Sequence, residues 1–188
     1  MADELKGKRV AFLFTEGAEQ AEVTEPLGAV QEAGADVDIV SLAEGDVQMW
    51  KHFDKGDTIK ADKAVKDAKA SDYDGLVLPG GVANPDQLRA DKSAVKFVRD
   101  FFEQDKPVGV ICHGPWMLVE TGVAKGRKVT SWPSLQTDLR NAGAEWVDQE
   151  VVVDNGLVTS RNPDDLPAFN AKIVEEFAEG KHQQKVAA

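Results

Sequence analysis

Short apolar runs alternate with amphipathic stretches over the first 112 residues, and that alternation limits the fold more than any other feature of the chain. The segments KRVAFLF (8–14), DVDIVS (36–41), YDGLVLPGG (73–81) and KPVGVIC (106–112) read as buried strands. Between the first two, VTEPLGAVQEAGA (23–35) reads as a helix that stops near Gly34. Between the last two, SAVKFVRDFFEQD (93–105) repeats Val95, Val98, Phe101 and Phe102 at helical spacing, with Ser93 as the expected N-cap. Strand–helix–strand units of this kind predict an α/β protein with a parallel sheet covered by helices on both faces.

The last third changes rhythm. Asp154-Asn155-Gly156 lies between two β-rich runs in EWVDQEVVVDNGLVTSR (145–161), which is a hairpin signal. A terminal helix follows in NPDDLPAFNAKIVEEFAEG, with Asn162 as N-cap, Pro163 at its first position and two acids in its first turn. The chain has 188 residues, no repeats and no linker of domain-boundary length, so one domain spanning 1–188 is expected, with its core over about 8–179. The tail KHQQKVAA (181–188) is expected to fray.

Charge and cysteine usage narrow the partners. A formal net charge of -11, with no basic stripe to offset it, repels phosphate backbones and anionic membranes. Small molecules, or modified groups on other proteins, are the expected ligands. No run of about 18 apolar residues spans a bilayer, and MADELKGKRV lacks the apolar stretch of a secretory signal. One cysteine closes no intrachain disulfide and supplies no zinc-type cysteine pair; a cytoplasmic location is expected, with no cofactor and no metal.

In an open parallel sheet, ligands bind outside the carboxyl ends of the strands. Topology therefore gathers four segments on one edge: TEGAEQAE (15–22), PGGVANPD (79–86), CHGP (112–115) and SWPS (131–134). Cys112, the only cysteine, ends a strand and leads straight toward a helix, the position of the nucleophile elbow in serine hydrolases. The Gly-x-Ser-x-Gly form is met in part: Gly114 is present, but position 110 is Val. Unpaired N–H groups and the macrodipole at a helix start favour an anion, so the thiol pKa is expected to fall. The competing reading is a buried cysteine acting as a small hydrophobe. The junction position favours the reactive thiol.

The neighbours of Cys112 each carry two readings. His113 is either the imidazole partner of the thiol or a polar residue capping the turn. Such a ring needs a carboxylate to orient it. Asp86 is the candidate, although Asn84-Pro85-Asp86 also reads as N-cap, first position and first-turn acid of a helix. Glu19 and Glu22 are the acids of the first loop; one that abuts a thiolate must hold its proton, because two close anions raise its pKa. Gly80-Gly81 either lends N–H groups to an oxyanion hole or makes a plain turn. Gly80, Gly81, Gly114, Glu19 and Trp132 are the expected oxyanion and binding positions, with Trp132 read either as a wall of the cleft or as core.

With GAEQAE, LPGG, VICHGP and AGAEWVDQEVVVDNGLVTSRNPDDLPAF in view, the chain resembles the ThiJ/PfpI family over about 8–179, and within it the PfpI-type intracellular proteases and general stress proteins. The resemblance implies the class I glutamine amidotransferase-like fold, a flavodoxin-like three-layer sandwich with the cysteine on a nucleophile elbow. It implies Cys112 as nucleophile, His113 as its partner, and Glu22 hydrogen-bonded to the thiol, with Glu19 in the same motif. Gly81 and the backbone of His113 match the oxyanion donors. Asp86 matches an acid that reaches the histidine across a subunit interface in PfpI-type oligomers. One departure touches that position: three residues, Val82, Ala83 and Asn84, separate PGG from PD where relatives have two.

Activities in this family include proteolysis, removal of methylglyoxal adducts from proteins or nucleotides, and conversion of methylglyoxal to lactate. The resemblance therefore implies a stress-response enzyme of deglycase or glyoxalase type. An intracellular cysteine peptidase or amidase, and a non-enzymatic redox sensor, are the alternatives. A homodimer or larger homo-oligomer is expected.

Overall fold

The computed structural model describes residues 3–183. Its first half runs β1 (Arg9–Leu13), α1 (Gln20–Glu32), β2 (Asp36–Ser41), β3 (Gly45–Lys51), β4 (Asp54–Ala61), β5 (Lys63–Ala64), β6 (Gly75–Leu78), α2 (Ala83–Ala90) and α3 (Lys92–Glu103). Its second half runs β7 (Val108–Ile111), α4 (Trp116–Glu120), β8 (Lys128–Val129), α5 (Gln136–Asn141), β9 (Glu145–Trp146), β10 (Val151–Asp154), β11 (Leu157–Ser160) and α6 (Leu166–Glu179). Seven strands form the central sheet in the order β10-β11-β7-β6-β1-β2-β5, parallel except for the antiparallel β10–β11 pair. It is a mostly parallel sheet with helices on both faces.

Period-two alternation explains why both faces are covered. Along β1, Val10 and Phe12 join the core that holds Phe169, Ile173 and Phe177 of α6, whereas Ala11 and Leu13 join Phe97, Phe101 and Phe102 of α3. Each such fully buried Leu or Phe contributes roughly 1.5–3 kcal/mol over leaving it exposed. Gly109 in β7 lets α6 lie close, since a Cβ there would sit 2.5 Å from the side chain of Ile173. The chain leaves β1 toward β2 on one side and returns to β6 on the other. Strand order thus reverses at β1–β6, where the carboxyl ends open a crevice.

Several local details differ from the sequence reading. Helix α1 begins at Gln20, ahead of residue 23. Helix α3 is capped by Asp91, whose carboxylate accepts from the Ala94 N–H at 2.9 Å; Ser93 lies inside the helix. Asn84 caps nothing. It is buried in α2, its amide donates to the carbonyls of Pro79 and Gly80, and its Oδ1 accepts from the Thr15 N–H at 2.7 Å. The loops after β1 and β6 are thereby tied together. Strand β8 joins β9 in a separate two-stranded sheet.

Other signals hold. Asn155 (φ 49°) and Gly156 (φ 78°) turn the β10–β11 hairpin through the left-handed region. Asn162 caps a 3-10 turn, Pro163–Asp165, that leads into α6. Within the expected tail, the His182 N–H donates to the Asp105 carbonyl at 2.9 Å, and 184–188 lie outside the described residues. Unread in the sequence was the β3–β4 hairpin. It folds over the start of α1, with the Trp50 N–H donating to the Ala18 carbonyl at 2.8 Å, and carries His52 and Phe53 at its tip. Among the described residues no helix is long and apolar enough to cross a membrane.

Candidate active site

The carboxyl edge of the sheet holds a cavity of about 380 Å³ lined by Glu19, Glu22, Gly81, Cys112, His113 and Trp132, with Phe53 and Val82 at its exposed rim. All four loops gathered by topology contribute to it. The hairpin adds His52 and Phe53, and Pro163 adds a further wall. Two depressions elsewhere are lined by lysines or glutamates but hold no thiol and no imidazole. The Cys112 cavity is therefore the candidate site.

Cys112 follows β7 directly and adopts φ +62°, a left-handed backbone rare for a residue with a side chain. Such a conformation costs on the order of 1–3 kcal/mol, which the surroundings must hold in place. They do so through both backbone groups. The Cys112 N–H donates to the Ser160 carbonyl at 3.1 Å, and the Cys112 carbonyl accepts from the Trp132 N–H at 2.8 Å. Gly114 closes the turn by donating to the Ile111 carbonyl at 2.9 Å. A Cβ on Gly114 would meet the Leu78 carbonyl at 2.8 Å, so this glycine serves packing of the turn and its N–H is already engaged.

Glu22 in α1 is fully buried beside the sulfur. One carboxyl oxygen accepts from the Gly80 N–H at 2.8 Å; the other has no hydrogen-bond partner among the described residues. That N–H is thereby committed to Glu22. A Cβ on Gly80 would lie 2.5 Å from the Glu22 carboxyl and 2.6 Å from the Cys112 Cβ, so only glycine lets the two side chains meet. Burial pushes the Glu22 carboxyl up to about 8, against the lowering pull of the Gly80 N–H and the cysteine. Proton retention was expected from the proximity of a second anion. Loss of solvation is the larger cause.

The thiol differs from expectation. Burial, and after it the charge of Glu22, pushes the Cys112 pKa up, although the N–H groups of Gly81 and His113 face the sulfur and pull it down. The helix that follows, α4, has only five residues, so its dipole is small against the desolvation of a thiol only 6% exposed. Burial thus favours the protonated form of both groups.

His113 places Nδ1 3.1 Å from Sγ. Burial lowers its pKa, which favours the neutral ring. Trp132 stacks on it at 5.7 Å and Trp116 meets it edge-on at 5.4 Å. Trp132 thus walls the cavity and is not core. Nε2 has Ser134 Oγ at 3.5 Å, and Asp86 is exposed in the first turn of α2 without reaching the ring. Glu19 turns outward to accept from the His52 N–H at 3.0 Å, fastening the hairpin tip to the rim. Gly81, at φ +75°, passes so close to the Gly17 carbonyl and the Glu19 N–H that no side chain fits. His52, Phe53, Val82 and Ser134 were not singled out by sequence reasoning. An isolated phenylalanine in WKHFDKGD was the available sign of the first two.

A mostly parallel α/β sandwich whose one cysteine is buried against an imidazole and a carboxyl at the strand ends defines a recognisable class of cysteine-bearing proteins. The chain belongs to the DJ-1/PfpI family, which matches residues 8–176. It is 47% identical over 163 residues to YraA of Bacillus subtilis, whose name proposes a cysteine protease, covering 87% of this chain and 94% of that one. It is 44% identical over 168 residues to protein/nucleic acid deglycase 2 of Escherichia coli, covering 89% and 96%. The crystal structure of Drosophila melanogaster DJ-1beta superposes with a TM-score of 0.82 at 30% identity, covering 91% of this chain and 90% of that one.

Proposed function

We propose that the protein is a cysteine-dependent stress enzyme, acting as one domain in the cytoplasm on methylglyoxal, glyoxal or their protein adducts. The observation that carries this reading is the buried Glu22 carboxyl, poised at about 8 beside the Cys112 thiol. Conversion of an α-oxoaldehyde to a hydroxy acid moves a proton between neighbouring carbons, and a carboxyl titrating near working pH is suited to that task. The cavity is of a size for a small carbonyl compound or the modified end of a side chain.

In the proposed mechanism Cys112 stands on a nucleophile elbow. Neutral His113 accepts the thiol proton at Nδ1 as sulfur attacks the aldehyde carbon; the carbonyl electron pair moves to oxygen, which the Gly81 and His113 N–H groups receive. The raised thiol pKa makes this base-assisted attack instead of attack by a standing thiolate. The oxygen takes up a proton to give a hemithioacetal. Glu22, left as a carboxylate by giving that proton to the oxygen, removes the carbon-bound proton of the hemithioacetal and returns it to the adjacent carbon. The hydroxyl proton passes to the neighbouring ketone oxygen, leaving a thioester of the 2-hydroxy acid. Water cleaves the thioester to the hydroxy acid and restores the thiol, with no net oxidation. Asp86 is proposed to orient His113 from a second copy of the chain. Exposed Phe53 and Val82, the latter four residues before Asp86, support an apolar contact between copies there.

Lactate release from methylglyoxal, corrected for buffer-catalysed turnover, tests the reading. Wild type is expected to release it and Cys112→Ala is not; equal rates overturn it. A peptidase or amidase is the second reading, favoured by two N–H groups aimed at the sulfur. It requires an acyl-enzyme burst with activated esters that Cys112→Ala lacks. The sensor reading requires an accessible thiolate, and the burial of Cys112 weighs against it.

A further inference from the structure

At the end of the sheet away from Cys112, α6 closes with Glu176 and Glu179 in its last turn and no basic residue there. Acids at a helix C-terminus oppose the macrodipole, so this arrangement costs stability unless a cation offsets it. Lys172, one turn back, is paired with Glu175 at 2.6 Å. After Gly180 (φ 87°) the chain reverses, and the His182 N–H donates to the Asp105 carbonyl at 2.9 Å, fixing the backbone that presents the ring.

Glu176 is only 6% exposed, yet among the described residues its Oε2 has no hydrogen-bond partner, and buried Nε2 of His182 has none either. The two atoms lie 3.2 Å apart without aligning to bond each other, and Oε2 of Glu179 is 3.6 Å from the same nitrogen. All three donor atoms fall within 4.8 Å of one another. Zinc takes histidine nitrogen and carboxylate oxygen at about 2.0–2.2 Å, so neighbouring donors of a tetrahedral centre stand about 3.3–3.4 Å apart. Two of the three separations bracket that value. Buried polar atoms left unpaired cost free energy, and one cation would satisfy both.

We propose that Glu176, Glu179 and His182 form a binding site for a zinc-class divalent ion. The imidazole nitrogen selects against magnesium and calcium, which prefer oxygen donors alone. Glu179 is half exposed, so the ion enters from solvent and keeps a water at its fourth position. Glu176 and Glu179 are one turn apart and His182 follows three residues later, so bound metal pins the chain after α6 against the start of β7. The site is independent of the chemistry proposed for Cys112.

The test uses tag-free, metal-stripped protein carrying Cys112→Ala, which removes the thiol as a competing ligand. Calorimetric titration with Zn²⁺ is expected to show one equivalent bound and a rise in Tm on saturation. Adding His182→Ala weakens binding at least about tenfold and abolishes the Tm rise. Glu179→Gln, a change at a half-exposed position that leaves folding intact, weakens binding in the same way. Absence of binding at about 100 μM Zn²⁺, or binding unchanged by both substitutions, overturns the site.

Discussion

Two histidine–glutamate neighbourhoods occupy opposite ends of the same sheet, and they solve the burial of a carboxyl differently. Glu22 is fully buried in the first turn of α1, where the helix dipole favours an anion, yet it is pushed up to about 8. Glu176 is buried in the last turn of α6, where the dipole disfavours an anion, and is raised as well, with desolvation again the first cause. Burial outweighs helix position at both ends. The surroundings then set the outcome. Glu22 has a backbone N–H and a thiol for company, whereas Glu176 has a second acid and an imidazole, the donor set proposed above for a cation. His113 has no acid partner within its own chain among the described residues, whereas His182 has two.

The largest expected effect tests the first neighbourhood outright. Cys112→Ala is expected to reduce kcat/KM for methylglyoxal by at least about 10³-fold, the loss seen when a covalent nucleophile is removed. Its unfolding free energy should change little, because an alanine fills most of the space and the strained φ remains. Retained turnover would leave the neutral Glu22 without a chemical partner, and the contrast between the two ends would vanish.

Glu22→Gln sharpens the contrast through pH. The folded pKa of Glu22 is raised above its unfolded value of 4.5, so its contribution to stability is fully present below pH 4.5 and is lost as pH rises through about 8. Wild-type protein should therefore lose on the order of 5 kcal/mol from this group across that window. The glutamine variant should lack this decline and be the more stable of the two at pH 8.5, by denaturant titration. Parallel stability curves for the two proteins would mean that the carboxyl is not held neutral. Next in size is Gly80→Ala, whose Cβ forces Glu22 and Cys112 apart. Overpacking of this kind costs about 1–3 kcal/mol, readable as a lower denaturation midpoint at unchanged slope.

The cysteine end was legible in the sequence because its signals are local. An apolar run stops at a lone cysteine, glycine pairs sit after strands, and sheet topology assembles the loops. Even so, the thiol pKa was read in the wrong direction, since a sequence displays a helix start but not that α4 is five residues long or that Cys112 is buried. Asn84 misled for a related reason. It stands where a cap would stand, but its amide is spent on the Pro79 and Gly80 carbonyls, a contact set by loops far apart in the chain. The Glu176–His182 cluster left no trace at all. Its residues look like the solvated end of a helix and a frayed tail until Gly180 turns the chain back and Asp105 fixes it.

The smallest effects decide how His113 is oriented. Ser134 Oγ lies 3.5 Å from Nε2, at the outer limit of a hydrogen bond, so Ser134→Ala is expected to lower kcat/KM less than about twofold. Asp86→Asn is expected to cost about tenfold, provided that a second copy delivers the acid, because an imidazole that takes up a proton is stabilised by a carboxylate and far less by an amide. That loss should appear only at protein concentrations where the oligomer forms, and diluting wild type below that point should reproduce it. A tenfold loss for Ser134→Ala with none for Asp86→Asn would place the orienting group inside the chain. His113 would then be held by stacking on Trp132 and one hydroxyl, unlike His182 between its two acids, and the oligomer would have no part in the chemistry.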